Sequence, residues 1–141
     1  MMDRTLRDAL LNHVRGEPYA RKLGLRLVEL DAGYAKVEMN ATEDLVNVFG
    51  AVHGGAVFSL LDEAFQLAGN THGTVGVALQ MNVSYLASAR AGDLLVAEAR
   101  EFHRTKRTAQ YEIRVSDGQG RLIAVCSALA YRKAEPMIFD S

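Results

Sequence analysis

Residues 54–70 form a helical candidate whose apolar side chains occupy most of its circumference: Val57, Leu61, Ala64, Phe65 and Ala68 make one stripe, flanked by Phe58, Leu60 and Leu67. A helix that is apolar nearly all round must be enclosed by other elements rather than laid on a surface. The rest of the chain can supply the enclosure. After Gly73 the sequence alternates almost to its end, through 75–86, 93–103, 105–116 and 121–132, with turn residues at Ala91-Gly92 and Asp117-Gly118-Gln119-Gly120. Four long strands following one buried helix predict a sheet that wraps around it.

Ahead of that helix, Leu6, Leu10, Leu11 and Val14 recur at helical spacing, so 3–15 reads as an amphipathic helix, interrupted by Gly16 and Pro18. Alternation over 25–30 and 34–39, with Ala35, Val37 and Met39 on one side, reads as two strands joined by a turn at Asp31-Ala32-Gly33. Residues 40–52 lack a period and read as a loop. The order helix, two strands, buried helix, four strands predicts an α+β fold with an antiparallel sheet around one helix. At 141 residues it is a single domain. We divide it into an N-terminal helical extension over 1–22, a core over 23–133 and a C-terminal tail over 134–141, read as a loose end.

Several function classes are disfavoured at once. With 16 basic against 17 acidic residues the chain has no positive field for a phosphate backbone, so nucleic acid is not the expected partner. The most apolar run, 122–131, is half the roughly 20 residues of a membrane-spanning helix, and the N-terminus interleaves charges with leucines, unlike an export signal. A lone cysteine, Cys126, cannot pair within the chain and fits a reducing compartment, so the cytoplasm is expected.

The densest unusual chemistry is the run from Asn47 through His53-Gly54-Gly55 into the apolar helix. Glycines at a helix start let a ligand approach the backbone, and the first helical N–H groups have no intrahelical partner, so they can donate to an oxyanion. The plain alternative is that His53 caps the helix and the glycines permit tight packing. Ser59, Asp62, Glu63 and Gln66 form a polar strip down the same helix. Glu63 reads as solvated. Asp62 lies next to Phe58 and Phe65, where partial desolvation raises a carboxylate toward the range useful to a general base. His53 and Asp62 stand nine residues apart, ~13 Å along the axis and on opposite faces. If both serve one reaction, the site is composite, with His53 from one subunit facing Asp62 from another across a two-fold axis.

Other chemistries find less support. His13, His53, His72 and His103 show no metal-ligand spacing with one another or with Cys126, and no Gly-x-Ser-x-Gly elbow marks a serine nucleophile. Arg104, Lys106 and Arg107 cluster between two strands, with Arg90 in an earlier turn. Such a cluster is either a solvated hairpin tip or a clamp for ligand phosphates.

Asn47, His53-Gly54-Gly55 six residues later, Asp62 nine residues after the histidine, and the strand Val77-Ala78-Leu79-Gln80-Met81-Asn82-Val83-Ser84-Tyr85 together resemble the hotdog-fold acyl-CoA thioesterases of the phenylacetic-acid-degradation (PaaI) type. The resemblance covers roughly 23–132. It implies a hotdog fold, a six-stranded antiparallel sheet wrapped around one long buried helix, with two sheets joined in a homodimer and two dimers in a homotetramer. It further implies hydrolysis of an acyl or aryl-acyl thioester, such as a hydroxyphenylacetyl type, to free acid and CoA. The Gly54 N–H would polarise the carbonyl, His53 would order the loop and substrate, and Asn47 would orient carbonyl or water. Asp62 of the neighbouring subunit would be general base or nucleophile. Substrate contacts are expected at Gly55, Gln80, Asn82, Tyr85, Ser88, Arg90, Arg104, Lys106, Arg107 and Thr108. No metal or cofactor is expected, since coenzyme A is part of the substrate. Where some relatives carry a serine or threonine facing the carboxylate, this chain has Ala78 or Gln80, depending on register. Two rival readings are an enoyl-thioester hydratase or dehydratase and a non-catalytic acyl-CoA binding or sensing protein.

Overall fold

A computed structural model describes residues 1–137. Helix α1 (Arg4–Arg15) starts where the Asp3 carboxylate accepts the Leu6 N–H at 2.9 Å. Gly16 ends it, but Pro18, read from sequence as an interruption, opens a second helix, α2 (Pro18–Leu23). Proline has no N–H to lose at a first helical position, so it starts α2 two residues after Gly16 has closed α1. Strands β1 (Arg26–Asp31) and β2 (Tyr34–Asn40) form the expected hairpin. A short 3-10 turn over Glu43–Leu45 leads to helix α3 (Gly54–Ala68), and β3 (Thr74–Tyr85), β4 (Leu94–Arg104), β5 (Thr108–Asp117) and β6 (Leu122–Pro136) follow.

The strands make one antiparallel sheet in the order β1-β2-β4-β5-β6-β3, wrapped around α3. Its inner face carries large side chains beside small ones: Val37, Met39, Leu95, Tyr111, Ile113 and Val115 alternate with Ala35, Ala97, Ala99, Ala109, Ala124, Ala128 and Ala130, all buried. The alanines let the strands close in on the helix, and Phe65 of α3 meets Tyr111 edge to face, with ring centroids 5.4 Å apart. This is the hotdog arrangement. Strand β6 runs to Pro136, opposite Thr74, so 134–136 belong to the sheet and not to a loose tail. Proline is tolerated there because it ends the strand. The rest of the expected tail, 138–141, lies outside the described residues.

Helix α3 lies antiparallel to β3, pinned at both ends. At its C-terminal end a Cβ on Gly76 would sit 2.5 Å from the Gly69 carbonyl oxygen. Asn70 fixes that approach by accepting the Gly76 N–H at 2.8 Å and donating to the Gln66 and Gly76 carbonyls. At its N-terminal end Gly54 lies against the Tyr85 ring.

The N-terminal extension covers the polar strip of α3. The Tyr19 and Ser59 hydroxyls are 2.8 Å apart, and the Gln66 amide donates to the Glu17 carboxylate at 3.4 Å. Glu63 is consequently 6% exposed, which corrects its reading as a solvated residue. No helix among the described residues is long and apolar enough to cross a membrane.

Candidate active site

The loop before α3 is built by Asn47. Its side-chain oxygen accepts the Phe49 and Ala51 N–H groups at 2.9 and 3.1 Å, closing a turn in which Gly50 takes a φ of 79°. The Asn47 amide nitrogen is left as a donor. The loop is held at its base by Val52 N–H on the Ala89 carbonyl and His53 N–H on the Leu45 carbonyl.

His53 caps α3 as the plain alternative had it, accepting the Gly55 N–H on Nδ1 at 2.8 Å. The cap does not displace the oxyanion reading; it sharpens it. Since Nδ1 accepts this bond, the neutral ring is assigned its proton on Nε2, a donor facing away from the cap. Ala56 and Val57 donate to the His53 carbonyl. The Gly54 N–H has no acceptor among the described residues and stands at the positive end of the helix. Gly55 therefore serves the cap, and Gly54 keeps the free N–H. Tyr85 completes this end, its hydroxyl donating to the Gly54 carbonyl at 3.3 Å.

Asp62 stands midway along α3, just over two turns beyond Gly54, half-buried in a cavity of about 230 Å³ with Phe65, Gln66, Val77 and Ala78. Burial raises its pKa, and the Glu17 carboxylate raises it further. Beside it Glu63 is pushed up to about 8, first by burial, then by a hydrogen bond with Glu17 and by the charges of Glu17 and Asp62. Its Oε2 has no hydrogen-bond partner. At neutral pH Glu63 is mostly the neutral acid, able to donate to Glu17. Burial also pushes the Cys126 thiol up to about 11, leaving it protonated.

The strand register decides which residue faces Asp62. A bulge at Leu79 pairs Ala78 with Ala130 but Gln80 with Leu129. Ala130 is buried on the helix side of the sheet; Leu129 and its β5 partner Gln110 project from the opposite side. Ala78 therefore faces Asp62. Gln80 and Asn82 line a small outer cleft with Gln110 and Ser127. The bulge breaks the two-residue period of β3 and turns Gln80 and Asn82 away from Asp62, so of the two residues that register left open it is Ala78 that faces the carboxylate.

The basic residues also separate. Arg90 precedes β4, while Arg104, Lys106 and Arg107 cap its far end, roughly 34 Å away for eleven extended residues. Within one chain they form two separate basic groups. Arg104 is paired with Glu101 at 3.4 Å, whereas Lys106 and Arg107 are exposed on a tip that Thr105 and Thr108 close through their hydroxyls, 2.9 Å apart. Ser88 offers its carbonyl to Arg121 at 2.7 Å, which fixes the segment after β3.

The sequence reading missed the pairing of Glu17 with Glu63. The signal was there: Ser59, Glu63 and Gln66 recur at helical spacing on an element otherwise destined for the core, which calls for a polar partner from outside the helix.

A family model described as the thioesterase superfamily matches residues 49–124. A putative esterase of Archaeoglobus fulgidus is 40% identical over 113 residues, covering 80% of this chain and 73% of the relative. The acyl-coenzyme A thioesterase PaaI of Escherichia coli K12 is 34% identical over 113 residues, covering 80% of this chain and 81% of the relative. Among solved structures, the E. coli PaaI protein from the phenylacetic acid degradation operon superposes with a TM-score of 0.92 at 28% identity, covering 98% of this chain and all of that one.

Proposed function

The chain belongs to the thioesterase superfamily, as a hotdog protein of the PaaI type, and from that premise we propose that it hydrolyses acyl-CoA thioesters to free acid and CoA at composite sites between two subunits. One observation carries the reading. The free Gly54 N–H at the start of α3 lies beside Tyr85, the half-buried Asp62 carboxylate midway along α3 lies beside Val77 and Ala78, on the other side of the midpoint of β3, and β3 has an open edge.

That edge is twelve residues long and carries no charged side chain, while Val77, Leu79, Tyr85 and Leu86 lie exposed on or just after it. An apolar edge of this length, unprotected by lysine or proline, favours pairing with another strand. Antiparallel pairing of two β3 edges about a two-fold axis near Met81 sets Tyr85 and Gly54 of one subunit against Ala78 and Asp62 of its partner. The same operation carries Arg90 of one subunit toward Arg104, Lys106 and Arg107 of its partner. Both separations found within one chain are then resolved by one dimer, and two such dimers give the tetramer we assign.

In this site the Gly54 N–H, with the His53 Nε2–H and the Asn47 amide, receives the thioester carbonyl. Asp62 of the other subunit takes a proton from water as its oxygen bonds to the carbonyl carbon. The tetrahedral oxyanion collapses, the C–S bond breaks, and the proton on Asp62 passes to the departing thiolate. A thioester carbonyl is electrophilic enough that donors worth about 3–4 kcal/mol at the oxyanion plus one positioned carboxylate suffice without a serine nucleophile. Coenzyme A enters as part of the substrate, its phosphates on the two basic groups, and we assign no further cofactor. An aryl-acyl substrate of the hydroxyphenylacetyl type is the finer reading, supported by the likeness to PaaI. The cytoplasm is the compartment we assign from the lone, buried Cys126.

The test is thiol release from short, long and aryl-acyl CoA esters by wild type and Asp62→Ala. Release lost in the variant supports the reading. CoA binding without release would make the protein a sensor, and hydration of crotonyl-CoA without hydrolysis would make it a hydratase. Mixing His53→Ala with Asp62→Ala chains restores part of the activity if each site draws on two subunits; no recovery after proven subunit exchange refutes the composite site.

A further inference from the structure

The cavity at Asp62 does not end at Gln66. Gln66, Asn70 and Gly76 also line a second cavity of about 550 Å³, on the side of α3 that faces the N-terminal extension. Its walls come largely from α1, from the turn into α2 and from the start of β3, with Leu10, Val14, Leu67 and Val75 as its apolar surface and His13 and Glu17 as polar groups. The two chambers thus share a neck of three residues.

The neck residues differ in freedom. Gly76 has no side chain and is locked against Gly69. Asn70 is committed through both atoms of its amide to the Gln66 and Gly76 backbones. Gln66 is exposed and held only by long contacts of 3.4 Å from its amide nitrogen to Glu17 and Glu63. Its amide oxygen has no partner among the described residues. Gln66 is the one neck residue that can swing aside or offer an acceptor to a substrate.

Volume separates the roles of the chambers. At about 230 Å³ the chamber beside Asp62 falls below the roughly 300–1,000 Å³ of ordinary small-molecule sites, so it takes a short acyl group or part of a larger one. The second chamber, at about 550 Å³, lies inside that range.

We propose that the N-terminal extension forms a distal acyl chamber and that Gln66 is the gate determining how far an acyl group extends into it. The inference rests on the thioesterase reading. Short acyl groups end at Gln66, and groups with a terminal hydroxyl donate to its amide oxygen. Long unbranched chains must displace the amide from Glu17 and Glu63 to pass, and are disfavoured in proportion.

The experiment measures kcat/KM for butyryl-, octanoyl-, dodecanoyl- and hydroxyphenylacetyl-CoA with wild type, Gln66→Ala and the double variant Gln66→Ala/Val14→Trp. Gln66→Ala is expected to raise the dodecanoyl-to-butyryl ratio about tenfold and to lower the preference for hydroxyphenylacetyl over octanoyl. Val14→Trp, which fills the distal chamber, is expected to return the dodecanoyl-to-butyryl ratio toward wild type. Circular dichroism and gel filtration against wild type serve as the measure that both variants fold and assemble. If the ratios stay within twofold of wild type in Gln66→Ala, or if Val14→Trp leaves the gained ratio in place, the gate is refuted while the thioesterase reading stands. If wild type hydrolyses none of the esters, it is the thioesterase reading that fails. Should butyryl turnover be lost in Gln66→Ala, Gln66→Leu, which keeps the bulk but removes the acceptor and the hold of Glu17 and Glu63, decides: the gate requires that it lower the hydroxyphenylacetyl preference and raise the dodecanoyl-to-butyryl ratio.

Discussion

Replacing Glu63 with glutamine tests whether a buried carboxyl is held in its neutral form beneath the N-terminal extension. Between pH 4.5, where an unfolded glutamate is half ionised, and about 8, where the folded one is, the native chain holds a proton that the unfolded chain has released. Stability therefore falls as pH rises through this window and levels off above it. A shift from 4.5 to about 8, at roughly 1.4 kcal/mol per unit, sets a ceiling of about 5 kcal/mol. Water reaching the exposed Gln66 and half-buried Asp62 screens the site, so about 2–3 kcal/mol is the working expectation. Glutamine keeps the shape and can still donate to Glu17, but it cannot ionise. Glu63→Gln should match wild type near pH 4.5 and exceed it near pH 9 by about 5–10 °C in melting temperature, taking roughly 2–4 °C per kcal/mol. Melting curves at fixed protein concentration, pH 4.5 to 9, read this directly, because any assembly contribution is then common to both proteins. Parallel pH profiles for the two would refute the argument, since they would mean that Glu63 ionises as freely in the folded chain as in the unfolded one. Glu17→Gln should move the profile part of the way, because burial, the largest cause, remains.

Three further outcomes follow from the geometry. Gly76→Ala should lower stability by about 2–4 kcal/mol in urea unfolding, because its Cβ would lie 2.5 Å from the Gly69 carbonyl, whereas Gly118→Ala, whose Cβ would meet Leu94 at an ordinary 3.8 Å, should stay within about 0.5 kcal/mol. Ala78→Ser sets a hydroxyl opposite Asp62 able to hold the attacking water; at about 1 kcal/mol for one hydrogen bond, kcat should rise about fivefold, and a fall would mean that the water does not lie on that face. Lys106→Ala should raise KM for CoA esters several-fold with kcat little changed, the difference shrinking as salt is added; a KM that does not respond places the phosphates elsewhere.

The fold was legible where burial enforces a period. Inner-face residues alternate along most of β2, β4, β5 and β6 because a one-residue slip would turn each strand inside out, and the near-continuous apolar face of α3 admits no surface position. The site was legible only in part. Asn47, His53, Gly54 and Asp62 stand on one short stretch whose spacing is set by a loop and a helix, so sequence distance translates into geometry. The choice between Ala78 and Gln80 stayed open in the sequence because a bulge at Leu79 changes the register at that point, and alternation alone does not locate a bulge. Glu63 was misread for a different reason: what covers it comes from residues 17–20, some forty positions away, behind a proline that looked like an ending. The misreading of Glu63 concerns a partner supplied by a distant segment, and the composite site proposed above is of the same kind. The polar strip of α3 answers to the extension on one flank and, in the dimer proposed above, through Asp62 to a second subunit on the other. That double allegiance accounts for a carboxylate pair surviving on the most apolar helix of the chain: Glu63 anchors the extension as a neutral acid, and the low-dielectric cover so formed raises the basicity of Asp62 beside it.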